Sequence, residues 1–167
     1  MVEETAYPLR QVLEVKQKRV EDAEAVVKEK QAALEKEQNI LKQKEAERDK
    51  AKKHHDDKLK QLREILDEGT TSPKIQQMKA YLKVVKDRVA VEEKKVKEQK
   101  VQVENAEKNL QAAKDDLKAK RQEVDKLKSH RTDWLKEMRK EQEIVEGREQ
   151  DELGSIIFTT HQPRKKK

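Results

Sequence analysis

The stretch Glu68-Gly69-Thr70-Thr71-Ser72-Pro73 is the one clear break in a long helical pattern, and it decides how the rest of the chain folds. Gly69 fits the position just past a helix C-terminus, where a left-handed backbone is required and glycine adopts it without steric cost. Ser72 suits the N-cap of a second helix and Pro73 its first position. The six residues therefore predict a hairpin turn, with one helix leading in and another leading out.

Composition supports that reading. Of 167 residues, 46% are charged, 32% hydrophobic and only 2% aromatic, with three glycines and three prolines. So few large apolar side chains cannot offset the entropy of ordering a globular chain. The Ala/Glu/Lys/Leu/Gln/Arg bias is that of long helices and coiled coils, which confine their apolar residues to one stripe. The absence of cysteine excludes disulfides and thiolate metal sites and fits a reducing cytosol. No stretch has the apolar length of a membrane span, and Met1-Val2-Glu3-Glu4 is unlike the basic start of a signal peptide, so a cytoplasmic protein without membrane insertion is expected. The net charge is +6, and Arg164-Lys165-Lys166-Lys167 supplies four of those charges. What remains is close to balanced, which argues against nucleic-acid binding along the arms.

Working outward from the turn, each arm carries a seven-residue repeat. In the first, entered through Tyr7-Pro8-Leu9, the repeat runs Leu13, Val20, Val27, Leu34 and Leu41, then passes Arg48 and His55 before Leu59, Leu62, Ile65 and Leu66 restore an apolar face. In the second it runs Ile75, Leu82, Val89, Val96, Val103, Leu110, Leu117 and Val124, then Arg131, Met138 and Val145, with a companion seam from Met78 and Val85 through Glu92 and Gln99 to Leu127 and Trp134. Repeats sustained this long mean a left-handed supercoil. The expected fold is all-α, a two-helix antiparallel coiled-coil hairpin whose second helix is longer than its first. The expected segments are an N-terminal lead (1–7), a first helix (8–67), the turn (68–73), a second helix (74–152) with Gly147 its weakest point, and a flexible basic tail (153–167).

Folding about residue 70 pairs positions whose numbers sum to about 140. Arg48 then shares a layer with Glu92, an expected register pair of opposite charge beside the seam. Lys16, Lys30, Lys44 and Lys58 face the seam and are expected to lay their methylenes over it. The same arithmetic brings Trp134 level with Ala6 and Met138 level with Val2, leaving the second helix short of a partner from about residue 133. Trp134, Leu135, Met138 and Val145 are therefore candidates for partner binding. The alternative for Trp134 is a cap in which Tyr7 stacks on it.

No enzyme constellation is present: there is no phosphate-cradling glycine loop, no Cys/His cluster and no nucleophile elbow. The run His54-His55-Asp56-Asp57 is metal-like in composition only, since neighbouring residues on a helix point about 100° apart. Neither catalysis nor a cofactor or metal is expected.

The residues also resemble a known family. Tyr7-Pro8-Leu9, Val12-Leu13-Glu14-Val15-Lys16, Arg19-Val20 and Ala23-Glu24 resemble the YscO family of type III secretion proteins, relatives of the flagellar protein FliJ. Gly69-Thr70-Thr71-Ser72, Met78 to Val85 including Tyr81, and Glu149-Gln150-Asp151-Glu152-Leu153 are similar to its chlamydial branch. The resemblance implies a non-enzymatic central stalk in the bacterial cytoplasm, at the cytoplasmic face of the secretion apparatus. Such a stalk enters the hexameric secretion ATPase, bridges it to the cytoplasmic domain of the export gate and engages secretion chaperones. Carried onto this chain, it implies an ATPase end near Val12, Val15, Arg19 and 134–152, and a gate end near Leu66, Ile75, Met78 and Tyr81. The residues leave two other readings open, a general chaperone or cargo-binding coiled coil and a structural coiled-coil homodimer in place of a monomeric hairpin.

Overall fold

The computed structural model describes residues 7–161. Two helices, α1 (Arg10–Glu68) and α2 (Ser72–Thr160), account for nearly all of them, joined as an antiparallel helical hairpin with the second helix the longer. The expected all-α hairpin is the observed fold. The N-terminal residues 1–6 and the basic cluster Arg164 to Lys167 lie outside the described residues.

The turn is built as its chemistry demands, one residue earlier than the sequence suggests. Gly69 has φ +82°, a backbone that side chains with a Cβ avoid. The carbonyl of Thr71 accepts from the amides of Lys74 (3.1 Å) and Ile75 (3.2 Å), so Thr71, not Ser72, occupies the cap and Pro73 lies inside the first turn. Proline is tolerated there because amides of the first turn have no intrahelical acceptor to lose. At the other end the carbonyls of Tyr7 and Leu9 receive the amides of Arg10 and Leu13, so Pro8 sits in a lead-in turn and α1 starts at Arg10.

Two compact units divide the hairpin: residues 7–22 with 117–161, and Ala23–Asp116. In the first, Tyr7 ahead of α1, Leu13 on α1 and Leu117 and Val124 on α2 are buried, and a Lys16–Glu123 ion pair crosses between the helices. In the second, Ala23, Leu34, Ala51 and Leu62 are buried on α1, with Val85, Val96 and Leu110 on α2, and Lys52 reaches Glu93 at 2.9 Å. Each fully buried leucine or valine contributes about 1.5–3 kcal/mol. In both units the cross-helix pairs have residue numbers summing close to 140, as the heptad matching requires.

Helix α2 does not end at residue 152 but runs to Thr160. Gly147 and Gly154 interrupt neither the helix nor any packing, since a Cβ at either would meet nothing within 4 Å. The hydroxyls of Thr159 and Thr160 donate back to the carbonyls of Ser155, Ile156 and Ile157, adding local bonds where β-branched residues would otherwise disfavour the last turn.

Candidate partner-binding surfaces

The polar content of the seam lies elsewhere than the heptad arithmetic places it. Arg48 bonds its own neighbour Asp49 at 2.9 Å, and Glu92 takes Lys95 of the same helix at 3.0 Å. Local carboxylates and ammonium groups, reachable without spanning the seam, outcompete the cross-helix pairing. One oxygen of Glu92 is left buried with no hydrogen-bond partner, at a groove of about 410 Å³ that Glu47, Ala51 and Arg88 help to line. The layer that joins the helices through polar groups is that of Gln99, only 4% exposed. Its amide nitrogen donates to the backbone carbonyl and the carboxylate of Glu37, and its oxygen accepts from Lys44 at 2.9 Å. The heptad reading places Gln99 on the seam, but nothing in spacing alone shows that three polar groups converge there.

The seam lysines behave as their positions imply. Lys16, Lys30, Lys44 and Lys58 are all half-buried. Lys58 donates to Gln61 and lies 6.0 Å from the Tyr81 ring centroid.

Near the turn, Leu66 and Tyr81 are exposed, while Ile75 and Met78 are half-buried on the seam side. The Tyr81 hydroxyl shares a 3.1 Å hydrogen bond with His54 Nε2, and the two rings meet edge to face at 6.2 Å. This couples the first helix to Tyr81 and holds that ring upright beside a groove of about 310 Å³ lined in part by Gln61, Met78 and Leu82. The pairing of His54 with Tyr81 escapes a reading by heptads because both residues lie outside the seam positions.

At the other end, Val12, Val15 and Arg19 are exposed on α1. The Trp134 ring is taken up within the chain: Tyr7, itself buried, packs against it with centroids 5.5 Å apart at 60°. The Tyr7 oxygen is 2.8 Å from His130 Nδ1, a hydrogen bond whose direction follows the imidazole tautomer. Trp134, Leu135 and Met138 are half-buried and Val145 is exposed. Gln142 is half-buried too, and from residue 143 every described side chain of α2 is exposed. Among them are Ile144, Val145, Leu153, Ile156, Ile157 and Phe158, the last 69% exposed.

Three carboxyls are held below their ordinary range by hydrogen bonds from, and then the charge of, a neighbouring lysine: Glu123 by Lys16, Glu93 by Lys52 and Glu104 by Lys108. The described residues contain no group of acidic and histidine side chains arranged to hold a metal, and none of their helices is long and apolar enough to cross a membrane.

Comparison with known proteins fits this geometry. Residues 4–165 match the family of YscO-like proteins. The chain belongs to the YscO-like family. This YscO-like chain is thereby a type III secretion protein, and it is similar to solved structures from chlamydiae. One, described as a YscO homologue, CT670 of Chlamydia trachomatis, is 48% identical, with 93% of this chain and 96% of that one aligned at a TM-score of 0.88. Another, from the Chlamydia pneumoniae CdsV and CdsO protein complex, is 51% identical over 50% of this chain and 98% of that one, at a TM-score of 0.48. No curated protein matches.

Proposed function

We propose that this protein is the non-enzymatic central stalk of a bacterial type III secretion system. It links the hexameric secretion ATPase to the cytoplasmic domain of the export gate and engages secretion chaperones, working as a monomeric hairpin in the bacterial cytoplasm at the base of the apparatus. The observation that carries this reading is family membership across residues 4–165. The ATPase end comprises Val12, Val15 and Arg19 with the stretch from Trp134 to Val145 and on to residue 152; the gate end comprises Leu66, Ile75, Met78 and Tyr81.

The geometry is consistent with such a role. In each unit two paired helices turn most of their side chains to solvent, an arrangement suited to contacts with other proteins. Its exposed charges offer many shallow contacts that can be exchanged as a ring of subunits changes state. The polar groups of the Gln99 layer are satisfied within one chain, which favours a folded-back monomer over two chains paired side by side.

The test is a pull-down of the purified chain with the cognate secretion ATPase and, separately, with the cytoplasmic domain of the export gate. The expected result is capture of both. Capture of neither removes the stalk reading.

A further inference from the structure

From residue 143 to Thr160 helix α2 has every side chain exposed. Ile144, Val145, Leu153, Ile156, Ile157 and Phe158 are all more than half exposed on it, an amount of apolar surface that charged helices do not keep without use. Val145, Glu149, Leu153, Ile156 and Thr160 follow one another at steps of four, four, three and four residues, so they share a face.

The charges around that face indicate what covers it. Residues 141–153 hold six carboxylates, Glu141, Glu143, Glu146, Glu149, Asp151 and Glu152, against the single guanidinium of Arg148, in a chain whose net charge is +6. Elsewhere some acids reach lysines, as in Lys16–Glu123, Lys52–Glu93 and Lys108–Glu104. Among the described residues none of these six acids joins an ion pair, and only Glu146 has a side-chain partner, the amide of Gln142 at 3.2 Å. Several stand three residues apart, where like charges on a free helix repel.

We infer that the face carrying Val145, Leu153 and Ile156, with Ile157 at its edge, docks into an apolar groove rimmed by lysine and arginine side chains on a partner protein. Its aliphatic residues fill the floor of the groove and its carboxylates meet the rim. A second copy of this chain would bring the same acids together, and the acidic polar side of residues 141–153 is the reverse of the lysine- and arginine-rich polar face of helices that lie on anionic membranes. The inference deepens the ATPase-end reading, and rests on it only for the partner's name.

The full chain is compared with two triple reversals that change net charge equally. One is Glu146→Lys, Glu149→Lys and Glu152→Lys on and beside the docking face; the other is Asp87→Lys, Glu107→Lys and Asp125→Lys on exposed positions of the paired part of α2. Lysine is a good helix former and is favoured near a helix C-terminus, so helicity by circular dichroism is expected to survive in both. Fluorescence anisotropy measures binding to a labelled amphipathic peptide of leucine and lysine, and parallel titrations use the secretion ATPase. The expected result is peptide binding that weakens at least about tenfold in the first variant and with rising salt, and little in the second. Leu153→Ser with Ile157→Ser weakens it as well. Equal binding by all chains overturns the inference. So does a concentration-dependent dimer, seen by light scattering, that the first reversal dissociates, or co-sedimentation with phosphatidylcholine–phosphatidylglycerol vesicles. ATPase binding unchanged by any variant, with no effect on the peptide, sinks the inference and leaves the stalk reading intact. The expected peptide pattern with no ATPase or gate binding by the parent chain does the reverse.

Discussion

Two stretches of α2 share a helix and differ in almost everything else. Between Val85 and Leu110 every seam position faces α1, the apolar ones are buried or half-buried, and Glu92, Glu93, Glu98 and Glu104 find lysines. Between residues 143 and 160 the helix is equally regular, yet its apolar side chains are exposed and its acids stand without cations. The contrast shows that helix formation here does not depend on having a partner, while stability does. A long helix of good helix formers with satisfied ends persists by itself to some extent, but tertiary burial supplies most of its free energy.

The strongest way to break that contrast is to truncate one large apolar side chain on each side of it. Leu117→Ala removes a buried seam leucine and is expected to cost about 2–4 kcal/mol in chemical denaturation. Phe158→Ala removes a larger side chain and is expected to change stability by less than about 0.5 kcal/mol, because its ring is already in water. Comparable losses from both would mean that the end of α2 is packed in the isolated protein. In the presence of the partner, Leu153→Ala should affect affinity more than Leu117→Ala.

How far the sequence foretold these two stretches follows from what heptads encode. Spacing specifies which residues face the seam, so the hairpin, its turn and the sum rule near 140 were all legible. It says nothing of rotamers. Arg48 and Glu92 share a layer by arithmetic, but Asp49 and Lys95 are closer to hand on their own helices, and side chains of that length turn to them. Gln99 was visible as a seam residue, whereas its two partners, Glu37 and Lys44, flank the layer and reach in from either side. The helical course of residues 153–160 was hidden because Gly154, Ile156, Ile157, Thr159 and Thr160 all have low intrinsic helix propensity, and the hydroxyl bonds that offset it are local geometry. The site candidates Trp134 and Met138 were found because large apolar residues stand out on a charged helix. Tyr81 was singled out by resemblance, and its bond to His54 was beyond spacing to show.

Polar seam residues sharpen the comparison at an intermediate scale. Glu92→Leu replaces a carboxylate oxygen that is buried without a partner by apolar volume, and is expected to raise stability by about 1 kcal/mol in urea denaturation. Gln99→Ala acts in the opposite direction, by about 1–2 kcal/mol, since it leaves Glu37 and Lys44 half-buried without the amide that joins them. If Gln99→Ala were neutral, the layer would not be holding the helices in register. Tyr7→Phe keeps the ring against Trp134 and loses the hydroxyl's bonds to His130 and to the Leu127 carbonyl, with an expected cost of about 0.5–1.5 kcal/mol.

The smallest effect is that of acid on the paired stretch. Glu123 and Glu93 have their carboxyls held below the ordinary value of 4.5 by hydrogen bonds from Lys16 and Lys52, so the folded chain binds fewer protons there than the unfolded chain does. The sign follows from linkage: these groups add stability above the unfolded value, and it is lost as pH falls through the lower folded value. Melting temperature is therefore expected to fall between about pH 5 and about pH 3. The double variant Lys16→Met and Lys52→Met should be less sensitive across that window and nearly unchanged in its sensitivity above it. Because both carboxyls face water, salt should shrink the difference between parent and variant. A variant as acid-sensitive as the parent would show that the two cross-helix pairs add nothing to the stability of the paired stretch, leaving its apolar seam as the whole of what distinguishes it from the exposed end.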